Sequence, residues 1–117
     1  MEQNNESSLI EELRAIEQNL QHISSQKQSN QIDLNEVNNA LEELNKTSDE
    51  VFKIVSGLML KIEKSDALKD LDEKRKLLEM RISSIEKQEK LLEKKAEELK
   101  TELTQSASKH QNNHDKE

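Results

Sequence analysis

Two long stretches of this chain repeat apolar residues in steps that alternate four and three. The first runs Leu9, Leu13, Ile16, Leu20, Ile23, passes Lys27 and Asn30, and continues at Leu34, Val37, Leu41 and Leu44. The second runs Leu68, Leu71, Arg75, Leu78, Ile82, Ile85, Glu89, Leu92, Ala96, Leu99 and Leu103. This spacing is a heptad seam, which predicts a coiled coil. The two seams also mirror each other. In an antiparallel pair, facing residues have numbers whose sum is nearly constant. Leu44 with Leu71, Val37 with Leu78, Leu34 with Ile82, Ile23 with Leu92, Leu20 with Ala96 and Leu13 with Leu103 all sum to 115 or 116. The chain is therefore expected to fold back on itself as a mainly α, long antiparallel coiled-coil hairpin. The same register sets Lys27 against Glu89, with Asn30 beside Ile85. A charged pair on a seam can specify register at a cost in stability; the alternative is that Lys27 reaches out to water.

The centre of these sums falls at Gly57 and Leu58, where the heptads stop. Val51-Phe52-Lys53-Ile54-Val55 and Leu58-Met59-Leu60-Lys61-Ile62 are rich in β-branched and large apolar residues, with Ser56-Gly57 between them. A small-residue pair ending in Gly between two such runs predicts a tight β-hairpin. Gly57, the only glycine of the chain, can take positive φ without a Cβ clash. With Ser56-Gly57 as the turn, Val51, Lys53, Val55, Leu58, Leu60 and Ile62 share one face. Phe52, Ile54 and Met59, with Lys61 and Glu63, share the other. Both faces are therefore partly apolar, and both edges are open. A lone two-stranded hairpin is marginal in water, and an open apolar edge invites another strand. The hairpin is expected to oligomerise with hairpins of other chains.

Composition narrows the alternatives. With 31% hydrophobic residues, one aromatic and 37% charged residues, the chain has too little apolar mass for a conventional globular core. Elongation or assembly must make up the difference. Proline is absent, so long uninterrupted helices are permitted. The net charge of -7 argues against a general nucleic-acid surface. The lysines are interleaved with glutamates, as on a solvated helix exterior. There is no cysteine, which rules out disulfides and thiolate metal sites. The polar, acidic start does not read as a signal peptide, and no apolar run approaches the roughly 20 residues needed to span a bilayer. A cytoplasmic protein with no membrane association is expected.

Residues 1–7 are polar and expected to be disordered. Ser8 is a candidate N-cap, with Glu11 completing a capping box. A helix from Ser8 to Asn45 would run on the order of 57 Å. Asn45 to Asp49 is a polar link, and Ser65 or Asp66 is the expected N-cap of the second helix. From Gln105 the chain turns to Ser, Asn, Gln, His and Lys, so the organised domain is expected over residues 8–104 and a disordered tail over 105–117.

At this point the sequence resembles the beta-type subunit of prefoldin, and the archaeal beta form best. The resemblance covers about Leu9 to Leu103. It rests on the helix–hairpin–helix order, on the central string Val51 to Lys61 with its single Gly, and on Asp72-Glu73-Lys74-Arg75-Lys76-Leu77-Leu78-Glu79-Met80-Arg81-Ile82 followed by Ile85 to Leu91. Heptads alone match any coiled coil; one hairpin in this position is far more specific, because alpha-type subunits carry two. The resemblance implies an ATP-independent chaperone, a hetero-hexamer of two alpha-type and four beta-type subunits. Their hairpins would form β-barrels from which coiled coils project, holding unfolded clients at their tips and passing them to a group II chaperonin. It also implies that charged residues near the tip, here Glu93, Lys94, Lys95, Glu97, Glu98 and Lys100, meet the chaperonin.

Candidate functional residues follow from position. Val51, Phe52, Ile54, Val55, Gly57, Leu58, Met59, Leu60 and Ile62 make the oligomerisation hairpin. Leu9, Ile10, Leu13, Leu99 and Leu103 are apolar residues where the helices end. If the tip unzips in part, they offer a weak, multivalent grip on unfolded chains; otherwise they close the coiled coil. Ile10 sits just off the seam, as do Leu77, Met80 and Leu91, which more often widen a packing stripe. Lys27 and Glu89 are the register pair. No enzyme constellation, Gly-rich phosphate loop or cofactor motif is present. His110 and His114 have the spacing of two ligands on one helix face but no third partner, so no metal is expected. The competing reading is a structural coiled-coil tether without chaperone activity. A plain spacer has no use for an apolar hairpin interrupting its heptads.

Overall fold

The structure is a computed structural model that describes residues 2–115, with the side chains of residues 5–108. Its elements are α1 (Glu2–Lys46), β1 (Val51–Val55), β2 (Leu58–Ile62) and α2 (Lys64–Asp115), the strands forming a two-stranded antiparallel sheet. No helix among the described residues is long and apolar enough to cross a membrane. The elements divide between two compact units. One spans residues 27–84 and contains the hairpin; the other joins residues 1–26 to residues 85–117.

In the hairpin unit, Leu34, Val37, Leu78 and Ile82 are buried in one cluster, with Leu41 and Leu71 packed against it. All six are seam residues drawn from both helices, so α1 and α2 run antiparallel in the expected register. In the other unit, Ile16, Ala96 and Leu99 form the buried cluster, flanked by Leu9, Leu13, Leu20 and Leu92. These too are seam residues. The physical reason is the 3.5-residue period, which brings the same narrow stripe of each helix to face the other; among the described residues Ala67, just before Leu68, is the one buried residue off the seam. Ile32, Leu77, Met80 and Leu91, off the seam, are exposed.

The hairpin register is as the turn placement requires. Val51 pairs with Ile62, Phe52 with Lys61, Lys53 with Leu60, Ile54 with Met59 and Val55 with Leu58. Ser56 has φ 49° and Gly57 φ 79°, so both central residues are left-handed, as a type I′ turn demands. The strain at Ser56 has no signature in the sequence, since Ser rarely adopts this backbone; the turn's compatibility with strand twist imposes it.

Helix ends differ from the expectations. Ser8 is not an N-cap: α1 begins at Glu2 and runs through it. No Gly or Pro stops the helix upstream, and acidic residues near the start favour the helix dipole. The second helix begins at Lys64, directly after β2, so neither Ser65 nor Asp66 caps it. Glu63 holds that place, its carbonyl accepting the Ala67 amide at 3.0 Å. Asp66 instead lies in the first turn, where its charge suits the dipole. The helical backbone of α2 also continues past Gln105 to Asp115, again with no breaker in the way. The side chains of His110 and His114 lie outside the described residues.

Truncating Leu78, 3% exposed, to Ala is expected to cost about 2–5 kcal/mol, whereas Met80→Ala should stay within about 0.5 kcal/mol. Urea unfolding followed by helical circular dichroism measures both. Gly57→Ala meets no atom within 4 Å, so its expected loss of about 1–2 kcal/mol reports the positive φ alone. Ser56→Gly should gain a fraction of that in the same assay.

Candidate functional site

The hairpin is the part of the chain whose apolar groups the fold leaves uncovered. Val51 and Ile62, at the strand ends next to the helices, are half-buried. Every residue between them is exposed on both faces, Ile54 at 71% and Met59 at 67%. The strand pairs put Val55, Leu58 and Leu60 on one face and Phe52, Ile54 and Met59 on the other. The outer edge of each strand has no partner among the described residues. Burying a side chain of this size is worth roughly 1.5–3 kcal/mol, so this surface holds a large unspent driving force.

Polar contacts anchor the hairpin at its base. Lys61 Nζ donates to Glu50 Oε1 at 3.0 Å, and Lys64 Nζ to the Thr47 carbonyl at 2.9 Å. Thr47 also caps the end of α1: its amide donates to the Glu43 carbonyl, and its Oγ1 accepts the Asp49 amide at 3.2 Å. Lys53 Nζ stands 4.0 Å from Asp70 Oδ2 on α2. These exposed ion pairs contribute little stability individually.

Further along α2, Arg75 occupies the seam position where a Leu would sit. Its Nη2 donates to Asp72 Oδ1, and Asp72 Oδ2 accepts Lys76 Nζ at 3.1 Å. The hydrogen bond from Lys76 holds the Asp72 carboxyl below the ordinary aspartate range, against the opposing effect of partial burial; the charges of Lys76 and Arg75 add to the lowering.

The residues expected at the tip are brought together in the unit of residues 1–26 and 85–117. Leu99 is 6% exposed and closes the coiled coil with Ile16 and Ala96, while Leu9 and Leu13 pack against that cluster. Leu103 is half-buried. Of the five, only Ile10 is exposed, at 42%, beside a shallow hollow with Glu6, Ser7, Glu11 and Arg14. Sequence reasoning missed what lies next on this seam: Ser106 Oγ donates to Glu6 Oε1 at 2.7 Å, and both are half-buried. The signal was available, because the four-three steps carry on through Glu6 and Ser106 after the apolar residues end. Lys27 and Glu89 are each half-buried at their seam positions, one in each unit, and both take part in polar interactions.

The geometry defines a class of protein by its architecture: a two-helix coiled coil whose connecting hairpin exposes apolar residues on both faces. The family model described as prefoldin subunit matches residues 7–110. Prefoldin subunit beta of Thermococcus gammatolerans is 40% identical over 101 residues, covering 85% of this chain and 86% of that protein. Prefoldin subunit beta of Pyrococcus furiosus is 38% identical over 94 residues, covering 79% and 80%. The crystal structure of the prefoldin beta subunit from Thermococcus strain KS-1 superposes with a TM-score of 0.83 at 33% identity, covering 87% of this chain and 91% of that one. The chain belongs to the prefoldin beta-subunit family, a family of chaperone subunits.

Because the folded-state Asp72 value is depressed, the stability it contributes is present above the ordinary aspartate value and lost as pH falls through the lowered one. Asp72→Asn should therefore lower the unfolding midpoint at neutral pH and flatten the acid limb, so that the variant and wild-type curves converge as pH falls below about 4.

Proposed function

We propose that this chain is the beta-type subunit of a cytoplasmic, ATP-independent holdase. Its hairpin enters a β-barrel with hairpins of other beta subunits and of an alpha-type subunit, two alpha and four beta per hexamer. The helix ends hold unfolded clients and release them to a group II chaperonin. The observation that carries the reading is the uncovered hairpin: strands apolar on both faces, with both outer edges unpaired, are suited to barrel closure, which removes edges altogether. Family membership supports the same conclusion.

For client capture, the closed state of the last seam turns sets the terms. Leu9, Leu13 and Leu103 are half-buried, so they meet a client only when those turns open, while Ile10 is available at once. The grip is then weak per arm and multiplied by the number of arms.

Two variants of the assembled complex separate the roles. Ile54→Lys with Met59→Lys should abolish the hetero-oligomer in native mass measurement while leaving the helices folded. Ile10→Ser with Leu103→Ser should leave the mass unchanged and cut suppression of client aggregation severalfold. A wild-type chain that stays solitary with an alpha-type partner, or a complex that never delays aggregation, would refute the reading.

A further inference from the structure

The two open edges of the hairpin are not chemically alike. β1 and β2 hold two charged residues between them, Lys53 and Lys61, and no Asp or Glu. Lys61 is satisfied at the hairpin base by Glu50, at 3.0 Å. Lys53 has only Asp70 Oδ2 at 4.0 Å, beyond hydrogen-bond reach, and both of those side chains are more than half exposed. A pair of this kind leaves the ammonium dependent on water. Around Lys53 on its face are Val51 and Val55 along the strand and Leu60 across it.

The backbone fixes what a strand laid on β1 would set against Lys53. A two-residue turn closes on a hydrogen-bonded pair, here Val55 with Leu58, and such pairs alternate along the ladder. Lys53 and Leu60 are then also a hydrogen-bonded pair, so the amide and carbonyl of Lys53 point inward, to β2. The outward groups of β1 belong to Phe52 and Ile54. An incoming antiparallel strand bonds to those two, and Lys53 falls between them in a non-hydrogen-bonded pair, the kind with the closest side chains.

Lys53 is the middle residue of β1, Val51–Val55. If the incoming strand were β1 of a second copy in full register, two-fold symmetry would set one Lys53 against the other. A slip by two residues parts them, but keeps only residues 51–53 or 53–55 in the ladder and leaves each lysine against a valine. β2 of a second copy brings Leu60. Glu50 and Glu63 flank the strands, but alternation puts both on the face of Lys61. Neither strand of this chain can therefore place a carboxylate opposite Lys53. Burying an ammonium among aliphatic side chains without a counter-charge is strongly unfavourable, and like charges face to face are also destabilising.

We propose that Lys53 reserves the β1 edge for a strand of a different chain, one that presents an Asp or Glu opposite it, and closes that edge to a second copy. An edge lysine is a general device against self-pairing strands. The β2 edge carries no such restriction: its symmetric pairing sets Leu60 on Leu60 and Met59 on Lys61. The proposal rests on the barrel reading above and adds to it the chemistry of the partner strand at one edge.

The chain has no cysteine, so a pair of introduced thiols reports this edge alone. In the symmetric register Val51 of one copy faces Val55 of the other. Full-length chains bearing Val51→Cys and Val55→Cys are mixed in a thiol–disulfide buffer, each checked for folding by helical circular dichroism. When one keeps Lys53 and the other carries Lys53→Glu, the disulfide-linked dimer should exceed that of either like-charged mixture about fivefold, and the excess should fade in about 1 M salt. With the alpha-type partner, Lys53→Glu should cut the yield of hetero-oligomer in native mass measurement severalfold, while Lys53→Arg keeps it. Equal crosslinking in opposite- and like-charged mixtures, a Lys53→Glu chain that assembles as readily as wild type, or an equal loss with Lys53→Arg would overturn the proposal and leave the barrel reading standing. A wild-type chain that stays solitary with the partner removes both.

Discussion

The apolar seam is narrow, and it is fully used by the two helices. Leu34, Val37, Leu78 and Ile82 in one unit, and Ile16, Ile85, Ala96 and Leu99 in the other, are the buried seam residues, with Ala67 beside the seam. Nothing remains to cover the hairpin. A third layer would be needed to shield Phe52, Ile54, Leu58 and Met59, and the chain has neither the apolar residues nor the aromatic bulk to supply one. The exposed hairpin is thus a consequence of economy elsewhere: the same composition that keeps the helices wet on their outer faces leaves the strands uncovered within the chain.

This division also separates roles along the chain. The hairpin unit is rich in directed polar contacts, from Lys64 on the Thr47 carbonyl to the Asp72–Arg75–Lys76 group. The first of these ties the end of α1 to the start of α2 beneath the hairpin, while the Asp72–Arg75–Lys76 group lies wholly within α2. The unit containing the chain ends is different. Its seam passes from Leu to the polar Glu6–Ser106 contact. A seam that weakens toward its end opens more easily than one closed by leucines. That suits the reversible contact proposed for the helix ends.

Much of this was legible beforehand. All the seam positions from Leu9 to Leu44 and from Leu68 to Leu103 are buried or half-buried, including Lys27, Asn30, Arg75 and Glu89. The strand register from Val51–Ile62 to Val55–Leu58 follows from one turn. The misreadings cluster at ends. Ser8 and Asp66 have the chemistry of caps, but a cap is used only where the helix stops, and no residue nearby forces it to. Arg75 shows a related limit. Its seam position was evident, but its partner Asp72 lies on its own helix, one turn back, a choice made by side-chain reach that periodicity does not encode.

The sequence by itself determined what depends on period and on local backbone freedom: two heptad stripes, their mirror register, and a turn at the one glycine. Those features are set residue by residue, because a side chain's face follows from its place in a 3.5- or 2-residue repeat. Only the tertiary structure decided where the helices begin, that Ser56 shares the left-handed turn, and that Leu99 is sealed while Ile10 is open. The helix starts and Ser56 are settled by backbone choices that residue type alone leaves open; which apolar groups are sealed and which stay open is a contest between groups distant in sequence, and its outcome exists only once the two helices are side by side.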